Sequence, residues 1–297
     1  MAFTRSLGFR AGLLSALILL GVLAVWHVAT MPAAPAAAAP AAALTPEQLE
    51  YAKLMGKDPA TLATPAAAPA KSGFPTLGQM AEVISANLAR PFYDNGPNDK
   101  GIGLQLAYSL ARVGLGYLLA ALVAVPLGFV IGMSPLVYRA LDPFIQVLKP
   151  ISPLAWMPLA LYTIKDSSIS GIFVIFICSV WPMLINTAFG VASVRREWLN
   201  VAKTLEVSPL RRAFEVILPA AAPTILTGMR ISMGIAWLVI VAAEMLVGGT
   251  GIGYFVWNEW NNLSITNVIT AILVIGVVGM LLDQILARLT RLVTFPE

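Results

Sequence analysis

Apolar residues along this chain come in long blocks rather than in alternation. Six stretches meet or approach the ~20 predominantly apolar residues that a membrane-crossing helix needs. They are Ala11–Ala29, Leu104–Met133, Phe144–Ile164, Ile169–Val194, Ala220–Val247 and Ile265–Ala287. The third is interrupted by Pro150, Pro153 and Pro158. Proline inside a membrane helix frees carbonyl groups that neighbouring helices or water must satisfy. A broken helix lining a cavity and a kinked helix packed on protein both fit that stretch. Between the first two blocks, Met31–Pro75 is dominated by alanine and proline with little apolar periodicity, as in a flexible or partly extended linker. Leu77, Met80, Ala81, Ile84 and Leu88 then follow helical spacing. That predicts a short amphipathic helix, lying on the outer membrane surface or packed against the bundle.

Composition turns the block pattern into a class. Of 297 residues, 58% are hydrophobic and 11% charged, with a mean hydropathy of +0.81. Soluble globular chains run at about 45–50% apolar and about 25% charged. The 19 basic and 15 acidic residues are too few to cover a soluble protein of this size. An ordinary cytosolic enzyme is excluded, and so is a disordered chain. One cysteine allows no internal disulfide, and one histidine plus one cysteine make no typical zinc site, so no metal is expected. The fold class expected is an all-α integral membrane protein with six transmembrane helices.

Charge placement sets an orientation. Arg5 and Arg10 precede the first span, Arg139 separates the second from the third, and Lys149 follows a little further on. Arg195, Arg196, Lys203, Arg211 and Arg212 lie between spans four and five, and Arg288 and Arg291 follow span six. Lys165 is alone between spans three and four, and Gly248–Ser264 has no basic residue. The positive-inside rule then puts both termini and the 195–215 loop in the cytoplasm. The net charge of +4 thus records topology and not a nucleic-acid partner. The first block also reads as a cleavable signal sequence, although its 19 apolar residues favour a retained anchor. The organisation expected is an anchor helix in 1–29, an external linker with its short helix in 30–100, and a five-helix core in 101–291.

The loop between spans four and five is the most informative segment. Leu199, Ala202, Leu205 and Glu206 follow helical spacing up to Ser208-Pro209. Leu210, Phe214, Ile217 and Leu218 make a second short apolar face before Pro219, which is expected to open span five. Two amphipathic helices with five basic residues suit a groove on a soluble partner; they equally suit a surface of anionic lipid.

This loop, 195–219, resembles the coupling loop of permease subunits in ATP-binding-cassette importers. That pattern is Glu-Ala-Ala, three residues, Gly, nine residues, then Ile-x-Leu-Pro. Here Asn200, Val201 and Ala202, then Glu206, then Val216, Leu218 and Pro219 keep the full spacing. Asn, Val, Glu and Val replace the family's residues at 200, 201, 206 and 216. Ser109-Leu-Ala-Arg-Val-Gly-Leu-Gly-Tyr, Leu141-Asp-Pro-Phe-Ile-Gln, Pro153-Leu-Ala-Trp-Met-Pro and Ala242-Ala-Glu-Met-Leu resemble permeases for nitrate, taurine, alkanesulfonates and similar oxyanions. Asn200-Val-Ala-Lys-Thr-Leu, Phe173-Val-Ile-Phe-Ile, Trp181-Pro-Met-Leu-Ile-Asn and the run from Ala242 to Gly253 resemble the nitrate branch. The similarity covers about Gly101 to Arg291.

The resemblance implies a type I importer-permease fold and a division of labour. An external binding protein captures the anion, two permease subunits form the path in the bacterial inner membrane, and two ATPase subunits bind ATP and magnesium. This chain has no Gly-x-x-x-x-Gly-Lys-Ser/Thr loop. Gly248–Gly253 is glycine-rich without a following lysine and reads as an outer turn, with Trp257 and Trp260 beside it as packing, interfacial or binding-protein residues. The implied coupling residues are Asn200, Val201, Ala202, Lys203, Leu205, Glu206 and Pro219. Ala202 would permit close approach to the ATPase, with Leu199 and Leu205 filling its groove. Ala202→Asp is expected to abolish stimulated transport and spare assembly.

Ionisable groups inside spans carry a functional hypothesis because burying them is costly. Arg230 and Arg112 are candidates for the anion path, with Asn186, Thr187 and Ser232 as neutral donors. All of these also read as structural, as interhelical glue or ion pairs. Glu244 and Asp283 are candidates for structural ion pairing, Glu244 with Arg112 in the outer leaflet. A stand-alone secondary transporter or channel would need no partner-docking loop and would show repeated halves, which the chain lacks. A membrane-embedded enzyme would need clustered acids or histidines. Among anions, nitrate leads, with nitrite, cyanate, taurine, alkanesulfonate and bicarbonate open.

Overall fold

The computed structural model describes residues 7–31, 74–96 and 98–293. The Ala/Pro-rich linker lies outside the described residues. The chain divides into two compact units, residues 1–85 and 86–297.

In the first unit, α1 (Leu7–Thr30) is apolar around its whole circumference, with Leu14, Leu17, Leu20, Val25 and Val28 exposed. A helix with no polar face suits hydrocarbon. Near its end, the Trp26 indole N–H donates to the Pro75 carbonyl at 2.9 Å, and the ring meets Phe74 at 5.4 Å between centroids. Helix α2 (Leu77–Ala89) starts there on a reciprocal cap. The Gln79 N–H donates to the Thr76 hydroxyl, and the Thr76 N–H donates to the Gln79 side-chain oxygen.

The second unit opens on a turn. Asp94 and Lys100 pair across it as an isolated bridge and as an ion pair. The Lys100 ammonium, helped by the Gly96 N–H, holds the Asp94 carboxyl below its usual range. The bundle follows: α3 (Ile102–Met133), α4 (Pro135–Leu148), α5 (Pro153–Ile164), α6 (Ser167–Ala192), α7 (Arg196–Thr204), α8 (Pro209–Val247), α9 (Ile252–Asn261) and α10 (Ile265–Val293). Helices α1, α3, α6, α8 and α10 are long and apolar enough to cross a membrane, and α4 with α5 makes a sixth, broken span.

Helix α6 is the centre of the bundle, packed between α3 and α8. Glycines set that packing. A Cβ on Gly116, Gly128 or Gly132 of α3 would lie 2.5–2.8 Å from the α6 carbonyls of Ile172, Leu184 and Ala188. A Cβ on Gly228 of α8 would lie 2.5 Å from the Asn186 Cβ. Lipid supplies no hydrophobic drive between helices, so close backbone approach and dispersion hold the seam.

Two stretches depart from the sequence expectation. The third block is two helices meeting at 90° across Lys149–Ser152. Pro153 disfavours helical geometry at the residue before it, and Ser152 is extended at φ −57° and ψ 135°. Pro219, expected to open span five, lies inside a helix that already starts at Pro209. A π turn over Ala213–Ile217 carries the chain through, the Leu218 N–H reaching back to the Ala213 carbonyl. The widened turn accommodates a proline that has no N–H to donate.

Candidate functional site

At the end of the bundle away from the basic loop, three polar residues of α3 share one face. Gln105, Ser109 and Arg112 are spaced i, i+4, i+7 and turn towards Glu244 near the end of α8. The Glu244 carboxylate is buried at 4% exposure. It accepts from Arg112 Nη1 at 2.8 Å, from the Ser109 hydroxyl at 2.8 Å and from the Gly253 N–H at 3.0 Å. Arg112 also donates to the Thr250 carbonyl at 2.5 Å and to the Ser168 hydroxyl at 3.0 Å. The Gly251 N–H donates to the Gln105 side-chain oxygen at 2.6 Å, and the Ile252 N–H to Ser109 Oγ at 2.8 Å.

The glycine-rich turn is therefore the start of α9, with its free N–H groups satisfied by α3 and α8. Gly248 and Gly249 take φ of 80° and 96°, the region that favours glycine. Gly251 and Gly253 are needed for space. A Cβ on Gly251 would strike the Glu244 carboxylate, and one on Gly253 the Val241 carbonyl. This polar clamp ties α3, the start of α6, the end of α8 and the start of α9 into one body.

Of the residues proposed for an anion path, Arg112 belongs to this clamp and the others fall elsewhere. Arg112 has its donors committed to the clamp. Arg230 is held by Asp283 of α10 through two bonds of 2.5 and 2.6 Å, both side chains about half exposed. The Asn186 amide donates to its own helix at Pro182 and packs on Gly228. Thr187 is fully buried against Gly128, and the Ser232 hydroxyl donates to the Ser179 carbonyl across the α6–α8 seam. None of these three lines a cavity described in the bundle. Only Ser232 bridges two helices; Asn186 bonds within its own helix, and the buried Thr187 hydroxyl has no hydrogen-bond partner among the described residues. Among the described residues, no group of three His, Cys, Asp or Glu is placed to hold a metal.

At the basic-loop end, α7 has two apolar sides. Ala202 is buried, and Leu199 is half-buried against the cluster formed by Val191, Val194, Ile217, Ala221 and Ile225. Both therefore pack on the chain's own bundle. The outward side carries Trp198, Val201 and Leu205, all exposed, with Leu210 and Phe214 exposed beyond them. The Arg195 guanidinium lies 5.6 Å over the Trp198 ring. Asn200, Lys203 and Glu206 are exposed, as is Pro219.

Glu206 takes φ of 52°. Its N–H donates to the Lys203 carbonyl and the Val207 N–H to the Ala202 carbonyl, which is a Schellman ending. That explains the glycine of the family pattern at this position.

Comparison with known proteins agrees with this architecture. Residues 124–294 match the family described as binding-protein-dependent transport system inner membrane component. The nitrate import permease protein NrtB of Synechocystis sp. is 46% identical over 226 residues, 76% of this chain and 82% of that protein. The bicarbonate transport system permease protein CmpB of Synechocystis sp. is 46% identical over 207 residues, 69% and 74%. In fold, the bundle matches a chain of the MetNI methionine ABC transporter in an inward-facing conformation, at a TM-score of 0.57 and 14% identity. That match covers 64% of this chain and 94% of the other. With more than half its length matched by the family and its bundle shared with an importer, the chain belongs to the inner-membrane permease components of binding-protein-dependent ABC transport systems.

Proposed function

We propose that the chain is the permease subunit of an ATP-driven nitrate importer in a bacterial inner membrane. The observation that carries the transport mechanism is the outward apolar face of α7, Trp198–Val201–Leu205, set on a helix packed against the base of α8. Such a face has no use in a lone conductance and suits a groove on an ATPase subunit. Partner ATPases bind ATP and magnesium, and their closure moves α7 together with the start of α8. Nucleotide shifts the permease only through contacts that differ between its two states. The glycine-tight seams keep α3, α6 and α8 moving as a block, and the clamp around Glu244 holds the far end of that block together.

Two permease copies form the path, with both termini cytoplasmic. The external binding protein meets the end bearing Trp257 and Trp260, which are exposed on α9. Nitrate as cargo is supported by similarity to a nitrate import permease at 46% over 226 residues. A second reading, bicarbonate, is favoured by 46% identity over 207 residues to a bicarbonate permease. The two are planar oxyanions of equal charge, so a permease path would treat them similarly.

The test is ATP hydrolysis by the purified complex in vesicles, with its binding protein loaded by nitrate, bicarbonate or taurine. Nitrate is expected to stimulate, and stimulation by bicarbonate alone would transfer the reading to that anion. Ion conductance by the isolated chain without ATP would overturn the importer reading altogether.

A further inference from the structure

Lys149 takes part in neither the clamp nor the α7 face. It ends α4 at the 90° bend of the broken span. Two cavities meet at it. One, of about 400 Å³, lies towards the basic-loop end and is lined by Ile131, Leu184 and Ala188 opposite Tyr138, Asp142 and Lys149. The other, of about 380 Å³, is lined by Lys149, Ser152, Trp156, Cys178, Trp181 and Ile235.

The height of the bend follows from α6. Cys178 and Trp181 each lie ~17–21 Å from either end of that helix, counted by its rise. The junction is therefore at the middle of the bundle. An exposed ammonium at that height is costly in hydrocarbon, and its side chain is too short to reach either boundary. This face of the chain must meet water or another chain.

Charge pairing separates Lys149 from the two arginines deep in the spans, although basic residues near the helix ends such as Arg139 and Arg288 are unpaired too among the described residues. Arg112 and Arg230 each hold a carboxylate, whereas Lys149 has no ion-pair partner among the described residues. The other titratable groups lining the two cavities are Tyr138, Asp142 and Cys178. Asp142 lies on the same face of α4 two turns away, ~10 Å, and accepts from the Gln146 amide. It offsets the lysine on the basic-loop side only.

We infer that Lys149 contacts the transported anion at mid-path, where the two cavities join. The inference rests on the importer reading above, and the ligand class is a small monovalent oxyanion. One ammonium with rotatable donors holds such an anion briefly, as passage requires. The carboxylate of Asp142, two turns away, lowers the positive potential at Lys149 and so weakens the hold.

The test is the complete importer in vesicles, carrying Lys149→Gln or Lys149→Arg. Lys149→Gln is expected to lower nitrate uptake about tenfold, and Lys149→Arg to keep most of it, because the charge is what acts. Basal ATP hydrolysis, subunit stoichiometry and melting temperature should match the parent in both. Parental uptake by Lys149→Gln would overturn the inference, as would equal loss in both variants. Loss of uptake together with loss of assembly would also overturn it, marking Lys149 as a contact between subunits. If the parent carries bicarbonate and not nitrate, the same ratios are read with bicarbonate. In that case the nitrate reading fails and the role of Lys149 is judged independently.

Discussion

At Glu244 the cost of a charge inside a membrane bundle is offset by donors on three sides, from Arg112, Ser109 and Gly253. Removing one partner of a buried pair leaves the other uncompensated, at a cost of ~3–5 kcal/mol. Glu244→Gln should therefore lower the melting temperature of the detergent-solubilised chain sharply. Adding Arg112→Gln to it should recover part of the loss, a non-additivity that a double-mutant cycle reads directly. Scarcity alone drew attention to Arg112 and Glu244 in the sequence, since few ionisable residues fall within apolar blocks. Gln105 and Ser109 were missed, although their i, i+4, i+7 register with Arg112 was a readable signal. The glycine-rich run marked Gly251 and Gly253 only as a turn; their need for space was not readable, because the Glu244 carboxylate and Val241 carbonyl they must admit come from α8.

Among the elements, α7 shows how a helix with apolar residues on two sides divides its faces. Spacing placed Leu199, Ala202 and Leu205 together as a docking stripe. Packing turned Leu199 and Ala202 inward and left Leu205 outside with Trp198 and Val201. Ala202→Asp is accordingly expected to loosen α7 from its own bundle, seen as faster amide exchange in Arg196–Thr204 along with lost stimulation of the ATPase. The end of the same helix gives a change of opposite sign. A non-glycine residue in the left-handed region is strained, so Glu206→Gly should stabilise the loop by about 0.5–1 kcal/mol. Slower exchange of the last α7 amides checks this. The broken span behaves similarly: prolines announced an interruption, but the 90° angle depends on what α4 and α5 pack against.

For the whole molecule, the number of apolar blocks and their basic flanks set out a five-helix core and an orientation before any contact was known. The orientation predicts that a cysteine at Asn261 is labelled by an impermeant maleimide from outside intact cells. A cysteine at Ser208 should react only after permeabilisation. Both variants need Cys178→Ala to remove the native thiol. The opposite labelling pattern would invert the assignment of the two ends.

By itself, the sequence determined which segments are long and apolar enough to cross a bilayer, because hydrocarbon rejects unpaired backbone and charge segment by segment. It also marked the 195–219 loop by its five basic residues and two short apolar faces. Only the tertiary structure decided which of the scarce charges are committed. Arg112 and Arg230 are closed into pairs with Glu244 and Asp283, from helices far away in the chain. Lys149, counted in the sequence only as a basic residue after Arg139 although it falls within the third apolar block, is placed by the bend of α4 and α5 at the middle of the bundle, between two cavities. The physical reason is that membrane insertion is a local property of each segment. The pairing of a charge depends on which other segment is folded against it.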